Sequence, residues 1–304
     1  MRRHTFERIA LEWEKFRKPF VKQTSFATYK DLLANHLLPE FGKKRRIDQK
    51  DIQSFVAKKM EEGYSKKTVV GMLTLLKGIL RFGATEKMCA FPVWNQPLLP
   101  ASRPRCEVMS WPDRKKIVRY CLESGSIRDA GICISIMAGL RIGEVCALQW
   151  KDVDFRGRLL YVRQSVQRLA DDSGRTRLRI VPTKTNTSER EIPLTRLLCS
   201  YLSSFAPEFG EESFILGGTD RPVDPRTYRN HFSRTLERLD IPHVKFHGLR
   251  HTFATSLIES GCDTKTASSL LGHSSVNITL NLYVHPDLEH KVDCLDRMEA
   301  FLRR

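Results

Sequence analysis

A proline-rich run is the feature that most constrains how this chain can fold. Four prolines fall within residues 91–106. Proline fixes φ and removes a backbone donor, so such a run is typical of an extended linker rather than of a helix or a central strand. With 304 residues, the chain is long enough for a hydrophobic core on each side of the run. The sequence therefore predicts a first domain over residues 1–90, a linker over residues 91–108 and a second domain from residue 109.

The first domain carries helical patterns throughout. We predict helices from Thr5 to Phe16, from a Thr24-Ser25 cap to about Leu38, from Asp51 to Met60, and from a Ser65 cap through Lys66 to about Phe82. In the last of these helices, apolar residues recur at helical spacing, which indicates a buried stripe. Its start carries Lys66 and Lys67, which fit either a contact with phosphate groups or a solvated helix end.

The second domain combines helices with a few short strands. Helices are predicted from Trp111 to Cys121, from Ile127 to Met137, after Arg141 to about Leu148, from Leu197, from Pro225 to Leu239 and from His247 onward. Strands are predicted from Leu159 to Val166, from Leu178 to Pro182 and from Glu189 to Pro193, with a turn at residues 171–174. The expected fold class is mainly α with a small antiparallel β-sheet in the second domain.

The chain is strongly basic. It contains 51 Lys and Arg against 35 Asp and Glu, a formal net charge of +16. The cations are spread through the sequence, which predicts broad basic surfaces able to displace counterions from a polyanion. A protein that is simply basic remains the alternative.

The eight cysteines and the N-terminus indicate the compartment. No Cys-x-x-Cys pair occurs, so a zinc ribbon is not expected. Several cysteines fall in apolar helical runs and fit small buried side chains in a reducing environment. The N-terminus has no apolar signal core, and no run approaches transmembrane length. We therefore expect a cytoplasmic protein without a membrane partner.

Five residues in three segments suggest chemistry on a phosphate. They are Arg141, His247, Arg250, His273 and Tyr283. His247 and Arg250 are three apart on a predicted helix and share a face. Gly272 is expected to end the following helix and to place His273 at a turn that brings it back toward Arg250. Each residue alone is weak evidence, but together they suit an anionic phosphate that must be gripped and attacked.

At these positions the sequence resembles the tyrosine recombinase (phage integrase) family. Arg141 in the segment Gly-Leu-Arg-Ile-Gly-Glu matches the family's first catalytic arginine, and His247 with Arg250 matches its His-x-x-Arg pair. His273 matches the next histidine, and Tyr283, ten residues later, matches the nucleophile. Lys184 matches the lysine of the β-hairpin. The match covers the predicted catalytic domain, residues 109–286, and the layout extends to the N-terminal helices.

The resemblance implies a role for each matched residue. Tyr283 would attack the scissile phosphate to leave a 3′-phosphotyrosine, and Lys184 would protonate the departing 5′-oxygen. Arg141 and Arg250 would clamp the non-bridging oxygens. His247 would assist proton transfer at the tyrosine and His273 would hydrogen-bond the phosphate, while Glu144 supports the arginines. Because arginines supply the positive charge, no metal or other cofactor is expected.

A zinc site is the competing interpretation of the histidines. His247 and His251 are four apart, as in zinc proteases, but Gly248 stands where the catalytic glutamate of His-Glu-x-x-His would be. We therefore do not expect zinc.

The resemblance also implies partners. Double-stranded DNA would lie within a two-domain clamp, with Lys66 and Lys67 as candidate DNA contacts, and protomers would self-associate into a synaptic tetramer. An accessory DNA-bending protein stays open as a further partner. The tail, residues 287–304, carries an apolar stripe of Leu288, Val292, Leu295, Met298 and Leu302. It would pack on its own domain or, as the family suggests, dock on a neighbouring protomer.

The function expected from the resemblance is site-specific DNA recombination, by integration and excision, inversion or Xer-type resolution. The four-helix region starts almost at Met1, so a separate arm-binding module is not expected before it. Two alternatives remain: DNA relaxation like that of a type IB topoisomerase, and a non-catalytic DNA-binding relative.

Overall fold

The computed structural model describes residues 4–21, 23–95, 108–170, 176–182 and 189–272, together with six positions in the C-terminal tail. The chain divides into two compact units. The N-terminal unit comprises Met1–Pro104 and Leu169–Thr176, and the C-terminal unit comprises Arg105–Arg168 and Arg177–Arg304. The described part is mostly helical with small antiparallel sheets, so the predicted fold class is confirmed.

The helices of the N-terminal unit surround one core. They are α1 (Phe6–Arg17), α2 (Gln23–Leu32), a π-helical turn (Leu33–Leu37), α3 (Leu38–Phe41), α4 (Gln49–Glu61) and α5 (Lys66–Thr85). Phe41, Phe55 and Leu76 are completely buried at its centre. The predicted cap at Ser65 is confirmed, because Ser65 Oγ accepts from the amide of Thr68. Thr5, predicted as the first residue of its helix, is instead its cap, and Thr5 Oγ1 accepts from the amide of Arg8.

The second helix departs from the prediction at both ends. The Thr24-Ser25 cap is wrong, because α2 begins at Gln23 and includes both residues. The helical run also continues past Leu38 to Phe41. Pro39 has no N–H to donate, and the regular α-helical ladder widens into the π-helical turn just before it.

Helix α5 is, within the described residues, the one helix long and apolar enough to cross a membrane by length and composition. A core helix of a soluble domain passes the same test. Its apolar face is buried in the N-terminal core, where Val69, Met72 and Ile79 are fully covered. The helix therefore behaves as the hydrophobic centre of its unit.

The remaining helices lie in the C-terminal unit, as do the strands except for Leu169, Ala170 and Thr176, which are grouped with the N-terminal unit. The helices are α6 (Trp111–Glu123), α7 (Ile127–Ala138), α8 (Ile142–Val145), α9 (Arg196–Ser203), α10 (Pro225–Arg238), α11 (Phe246–Glu259) and α12 (Thr264–Leu271). The strands are β1 (Val153–Asp154), β2 (Leu159–Val162), β3 (Gln164–Ala170), β4 (Thr176–Pro182) and β5 (Arg190–Pro193).

The strands form two sheets rather than the single sheet expected. One has the antiparallel order β1-β2-β5, with Leu160 opposite both Val153 and Ile192, and the other pairs β3 with β4. The predicted strand 159–166 is divided at Arg163, because its two halves have different partners. Strand β1 was not predicted, since two residues are too few to show periodicity. Helix α8 ends at Val145, short of the predicted Leu148.

Two left-handed glycines turn the chain at the ends of α7 and α12. Gly139 has φ of 70° and Gly272 has φ of 61°. At Gly139 an added Cβ would lie 2.4 Å from Cδ1 of Phe253 on α11, so the turn is also closely packed. The two turns direct the carbonyl ends of α7 and α12 toward α11. The predicted turn at residues 171–174 and most of the predicted linker lie outside the described residues.

Candidate active site

Arg250 is the buried centre of the candidate site. It lies on α11 with 1% of its surface exposed. Its Nη1 donates to the carbonyl of Gly139 at 2.7 Å, and its Nη2 donates to the carbonyl of Leu271. These carbonyls belong to the ends of α7 and α12, where helix dipoles place partial negative charge. Burial, with Arg141 nearby, lowers the pKa of Arg250 to about 9, so the guanidinium is still a cation at neutral pH.

Arg141 lies at the start of α8 and is held by Glu144. Its Nη1 donates to Glu144 Oε1 at 2.7 Å, and its backbone N–H donates to Oε2 at 2.9 Å. The Arg141 side chain is 38% exposed, whereas the Glu144 side chain is 4% exposed. Glu144 therefore orients a guanidinium that remains open to solvent, and its supporting role in the reaction stays a prediction.

Arg190 is a second partner of Glu144 that sequence reasoning did not single out. It lies on β5 with its side chain 6% exposed, and its Nη2 is 3.0 Å from Glu144 Oε2. Its Nε donates to the carbonyl of Leu270 at 2.9 Å. The signal was present in the sequence: Arg190 is two residues before Ile192, which is buried, and side chains two apart on a strand share a face. An arginine at an inward position of a strand indicates a partner.

The charges around Glu144 favour its ionised form over its protonated form. Burial raises the pKa of Glu144, but attraction and hydrogen bonds from Arg190 and Arg141 outweigh it and hold that pKa below its ordinary value. Glu144 is therefore ionised at neutral pH. It is shared between one buried and one half-exposed guanidinium.

His247 lies one turn before Arg250 with part of its ring open to solvent. Its ring contacts that of His251 edge to face, with centroids 4.5 Å apart. Partial burial and the neighbouring His251, Arg250 and Arg141 lower the pKa of His247 to about 4, against an opposing effect of Glu144. The imidazole is therefore neutral at physiological pH and can accept a proton.

The remaining candidate residues fall in different places. Lys184, His273 and Tyr283 lie outside the described residues, as does Leu288 of the apolar stripe. Lys66 and Lys67 lie on the first turn of α5, in the N-terminal unit, at the positive end of that helix's dipole. Their predicted contact with DNA stays a prediction. The other four residues of the stripe, Val292, Leu295, Met298 and Leu302, are 49–74% exposed.

The comparisons with known proteins identify the family. Residues 108–290 match the model of the phage integrase family, which is more than half of the chain. The chain belongs to the phage integrase family. Residues 5–60 also match the model described as phage integrase, N-terminal SAM-like domain. The resemblance inferred from six motif positions is thus confirmed.

Curated relatives are similar over most of their length. A tyrosine recombinase XerC-like protein of Caldanaerobacter subterraneus is 27% identical over 310 residues, covering 93% of this chain and 78% of the relative. The ICEBs1 integrase of Bacillus subtilis is 25% identical over 296 residues, covering 92% and 79%. Tyrosine recombinase XerA of Thermococcus onnurineus is 27% identical over 242 residues, covering 78% and 77%.

Solved structures share the fold. The Tn1549 transposon integrase in complex with circular intermediate DNA is 20% identical with a TM-score of 0.80, covering 97% of this chain and all of that chain. A lambda integrase dimer bound to a core site is 19% identical with a TM-score of 0.64, covering 92% and 95%.

Proposed function

We propose that this protein is a site-specific DNA recombinase that cleaves and rejoins DNA through a 3′-phosphotyrosine. The observation that carries the proposal is the meeting of a buried guanidinium, a half-exposed guanidinium and a neutral imidazole at the ends of α7, α8, α11 and α12. Family membership supports it. Two cations and a proton acceptor, beside a carboxylate that is buried and paired with arginines, are suited to an anion rather than to a metal ion.

The reaction is a transesterification at one phosphorus atom. The Oη of Tyr283 forms a bond to phosphorus, the bond from phosphorus to the 5′-oxygen breaks, and DNA is left with a free 5′-hydroxyl. The tyrosine proton passes to His247, and Lys184 supplies a proton to the leaving oxygen. Rejoining reverses these steps, so the phosphodiester energy is kept in the covalent intermediate. The roles of Lys184, His273 and Tyr283 rest on their motif positions.

The arginines stabilise charge that develops on the non-bridging oxygens. Arg250 uses two of its five N–H donors on the carbonyls of Gly139 and Leu271, which fixes its plane before substrate arrives. Arg141 is fixed by Glu144 and presents its exposed side to solvent. Donors held in place before the reaction lose little entropy when the transition state forms, so they stabilise it efficiently.

The partners follow from the same proposal. Double-stranded DNA is the substrate, and the basic charge of the chain favours its binding. A lambda integrase tetramer bound to a Holliday junction shares the fold, with 20% identity and a TM-score of 0.65. That likeness supports a tetramer of this chain on paired sites, with an accessory DNA-bending protein still open. A cytoplasmic location completes the proposal.

Covalent trapping tests the proposal. Duplexes from the DNA that flanks the coding region would carry a nick a few nucleotides to the 3′ side of each candidate cleavage position. After cleavage, the short fragment with the free 5′-hydroxyl diffuses away, so religation stops. Wild type is expected to give a covalent protein–DNA band on a denaturing gel, and Tyr283→Phe is expected to give none. Phe removes only the hydroxyl, so retained DNA binding by the variant serves as the control.

Two outcomes would contradict the proposal. A band that persists in Tyr283→Phe would exclude Tyr283 as the nucleophile. DNA binding with no covalent band on any flanking site would favour the non-catalytic alternative. Supercoiled plasmid with one site and with two sites separates recombination from simple relaxation, because only recombination requires two sites.

A further inference from the structure

We infer that Arg190 is a positioning residue that ties the phosphate clamp to the end of helix α12, from which the tyrosine-bearing segment continues. This inference rests on the proposed recombinase function. Arg190 is placed in no role by its motif position or by the family match. Its side chain is almost completely buried, and among the described residues two separate groups bond to it.

The first group is the carboxylate of Glu144. Arg190 Nη2 lies 3.0 Å from Glu144 Oε2, and Arg141 Nη1 lies 2.7 Å from Oε1. Without Arg190, the only ionic partner of Glu144 in the described part of the chain would be Arg141. Arg141 would then be drawn onto the carboxylate, and its charge would be less available to a phosphate. Arg190 therefore neutralises part of the negative charge of Glu144, so that Arg141 stays available to the substrate.

The second group is the carbonyl end of α12. Arg190 Nε donates to the carbonyl of Leu270, and Arg250 Nη2 donates to the next carbonyl, that of Leu271. These are the last two residues of the helix, whose carbonyls lack a partner within it. Two arginines from different elements thus hold consecutive carbonyls directly before Gly272.

The end of α12 therefore positions both the arginine clamp and the start of the segment that carries Tyr283. The chain continues from Gly272 to His273 and Tyr283. The guanidinium of Arg250 and, through Glu144, that of Arg141 are held against the same helix end. Loss of Arg190 should therefore misplace the clamp relative to the nucleophile without removing any group that touches DNA.

The test measures single-turnover cleavage of nicked duplex by wild type, Arg190→Gln and Arg190→Lys. We expect Arg190→Gln to cleave roughly 10- to 100-fold more slowly, the range for groups that orient a directly contacting residue, with DNA affinity changed by only a few-fold. Arg190→Lys retains the charge beside Glu144 but loses the planar fork, so its rate should fall between the other two.

Arg114→Gln is the matched control. The Arg114 side chain is 8% exposed against 6% for Arg190, and it also donates to a carbonyl and a carboxylate, those of Met109 and Glu259. Its described partners include none of Glu144, Leu270 or Arg250. Two of its partners, Ser256 and Glu259, lie in the last turn of α11, at the opposite end of that helix from His247. The Arg114→Gln variant should therefore lose similar stability yet cleave within about threefold of wild type.

Two modified duplexes locate the defect chemically. Sulfur in place of the scissile 5′-oxygen leaves without protonation, so it relieves the need for Lys184. A methyl group in place of one non-bridging oxygen removes negative charge, so it relieves the need for the arginine clamp. The Arg190→Gln defect should persist on the sulfur substrate and shrink on the methylphosphonate.

Three results overturn the inference. Arg190→Gln could cleave as fast as Arg114→Gln, which would make Arg190 merely structural. Its defect could instead disappear on the sulfur substrate, which would assign Arg190 to the Lys184 hairpin. Failure of wild type to form any covalent product would refute the proposed function itself. If Arg190→Gln does not fold, Arg190→Lys against Arg114→Lys on the same three substrates decides the question.

Discussion

Arg250 on α11 and Arg141 at the start of α8 belong to the same site, but the two regions hold their arginines in opposite ways. Arg250 is completely buried and bonded to two neutral carbonyls at helix ends. Arg141 is half-exposed and bonded to a buried carboxylate that also pairs with Arg190. Neutral acceptors leave the full positive charge of Arg250 in place, whereas a carboxylate cancels part of the charge of Arg141. The difference shows that Arg250 is fixed by burial, whereas Arg141 is fixed by a cluster in which one carboxylate pairs with two arginines.

The largest expected effect is the loss of the buried guanidinium. We expect Arg250→Ala to slow cleavage by roughly 10³-fold, the upper range for removal of one preorganised donor to a developing anion. Arg250→Lys should recover little, because an ammonium group cannot bridge the Gly139 and Leu271 carbonyls as the planar fork does. Single-turnover trapping measures both rates. A lysine variant close to wild type would show that charge alone matters in this region.

Next in size is the loss of the carboxylate in the other region. Glu144→Gln leaves the buried Arg190 without a full counter-charge. We expect a loss of about 3 kcal/mol in the free energy of unfolding, as for a broken buried ion pair. Chemical denaturation at neutral pH measures it. An unchanged midpoint would mean that the cluster around Glu144 contributes orientation but no net stability.

A smaller loss is expected at the turn that supplies one of the neutral carbonyls. Gly139→Ala introduces a Cβ 2.4 Å from Cδ1 of Phe253 and places a side chain at φ of 70°. Together these should reduce the free energy of unfolding by about 2 kcal/mol. The cleavage rate should fall as well, because the Gly139 carbonyl holds Arg250. A variant that loses stability but cleaves normally would separate the packing of this turn from the positioning of Arg250.

A shift in pH dependence tests how the surroundings of His247, between the two regions, set its pKa. Partial burial, His251 and the charges of Arg250 and Arg141 lower the pKa of His247 to about 4. His251→Phe keeps a ring against His247 but removes one of these causes, so the pKa of His247 should rise. Because the proposed base works as neutral imidazole, the acid limb of the cleavage profile should move to higher pH, by less than about one unit. Rates measured from about pH 4 to pH 8 show the limb, and a limb that moves downward would exclude His247 as the proton acceptor.

The smallest effect is expected where an ion pair between a carboxylate and an ammonium group lies in solvent. Glu212 and Lys151 are 2.6 Å apart, but their side chains are 78% and 40% exposed. Glu212→Gln should change the free energy of unfolding by less than about 0.5 kcal/mol. Denaturation beside Glu144→Gln provides the contrast between an exposed and a buried carboxylate. Equal losses in the two variants would show that burial does not set the strength of the Glu144 cluster.

Local patterns predicted much of the fold. Ser65 and Ser110 cap the helices expected to follow them, because a hydroxyl that accepts from a first-turn amide is a local interaction. The Thr24-Ser25 cap was wrong, although the residue types were suitable. The division of residues 159–166 between two sheets was also missed, because strand partners are chosen by contacts distant in sequence.

The candidate site shows the same limit. The motif spacing placed Arg141, Glu144, His247 and Arg250 together, and the structure brings these four into one cluster. The motif did not single out Arg190, whose importance depends on burial and on two partners from other elements. Lys184, His273 and Tyr283 remain predictions from the motif.

The sequence by itself determined which family the chain belongs to, because six chemically demanding residues in a set order leave few alternatives. It also determined most helices, through apolar period and caps. Only the tertiary structure decided that Arg250 is held by helix ends, that Arg141 shares a carboxylate, and that Arg190 completes the cluster. These depend on the low dielectric of a packed interior and on donors brought together from distant segments, neither of which a linear pattern records.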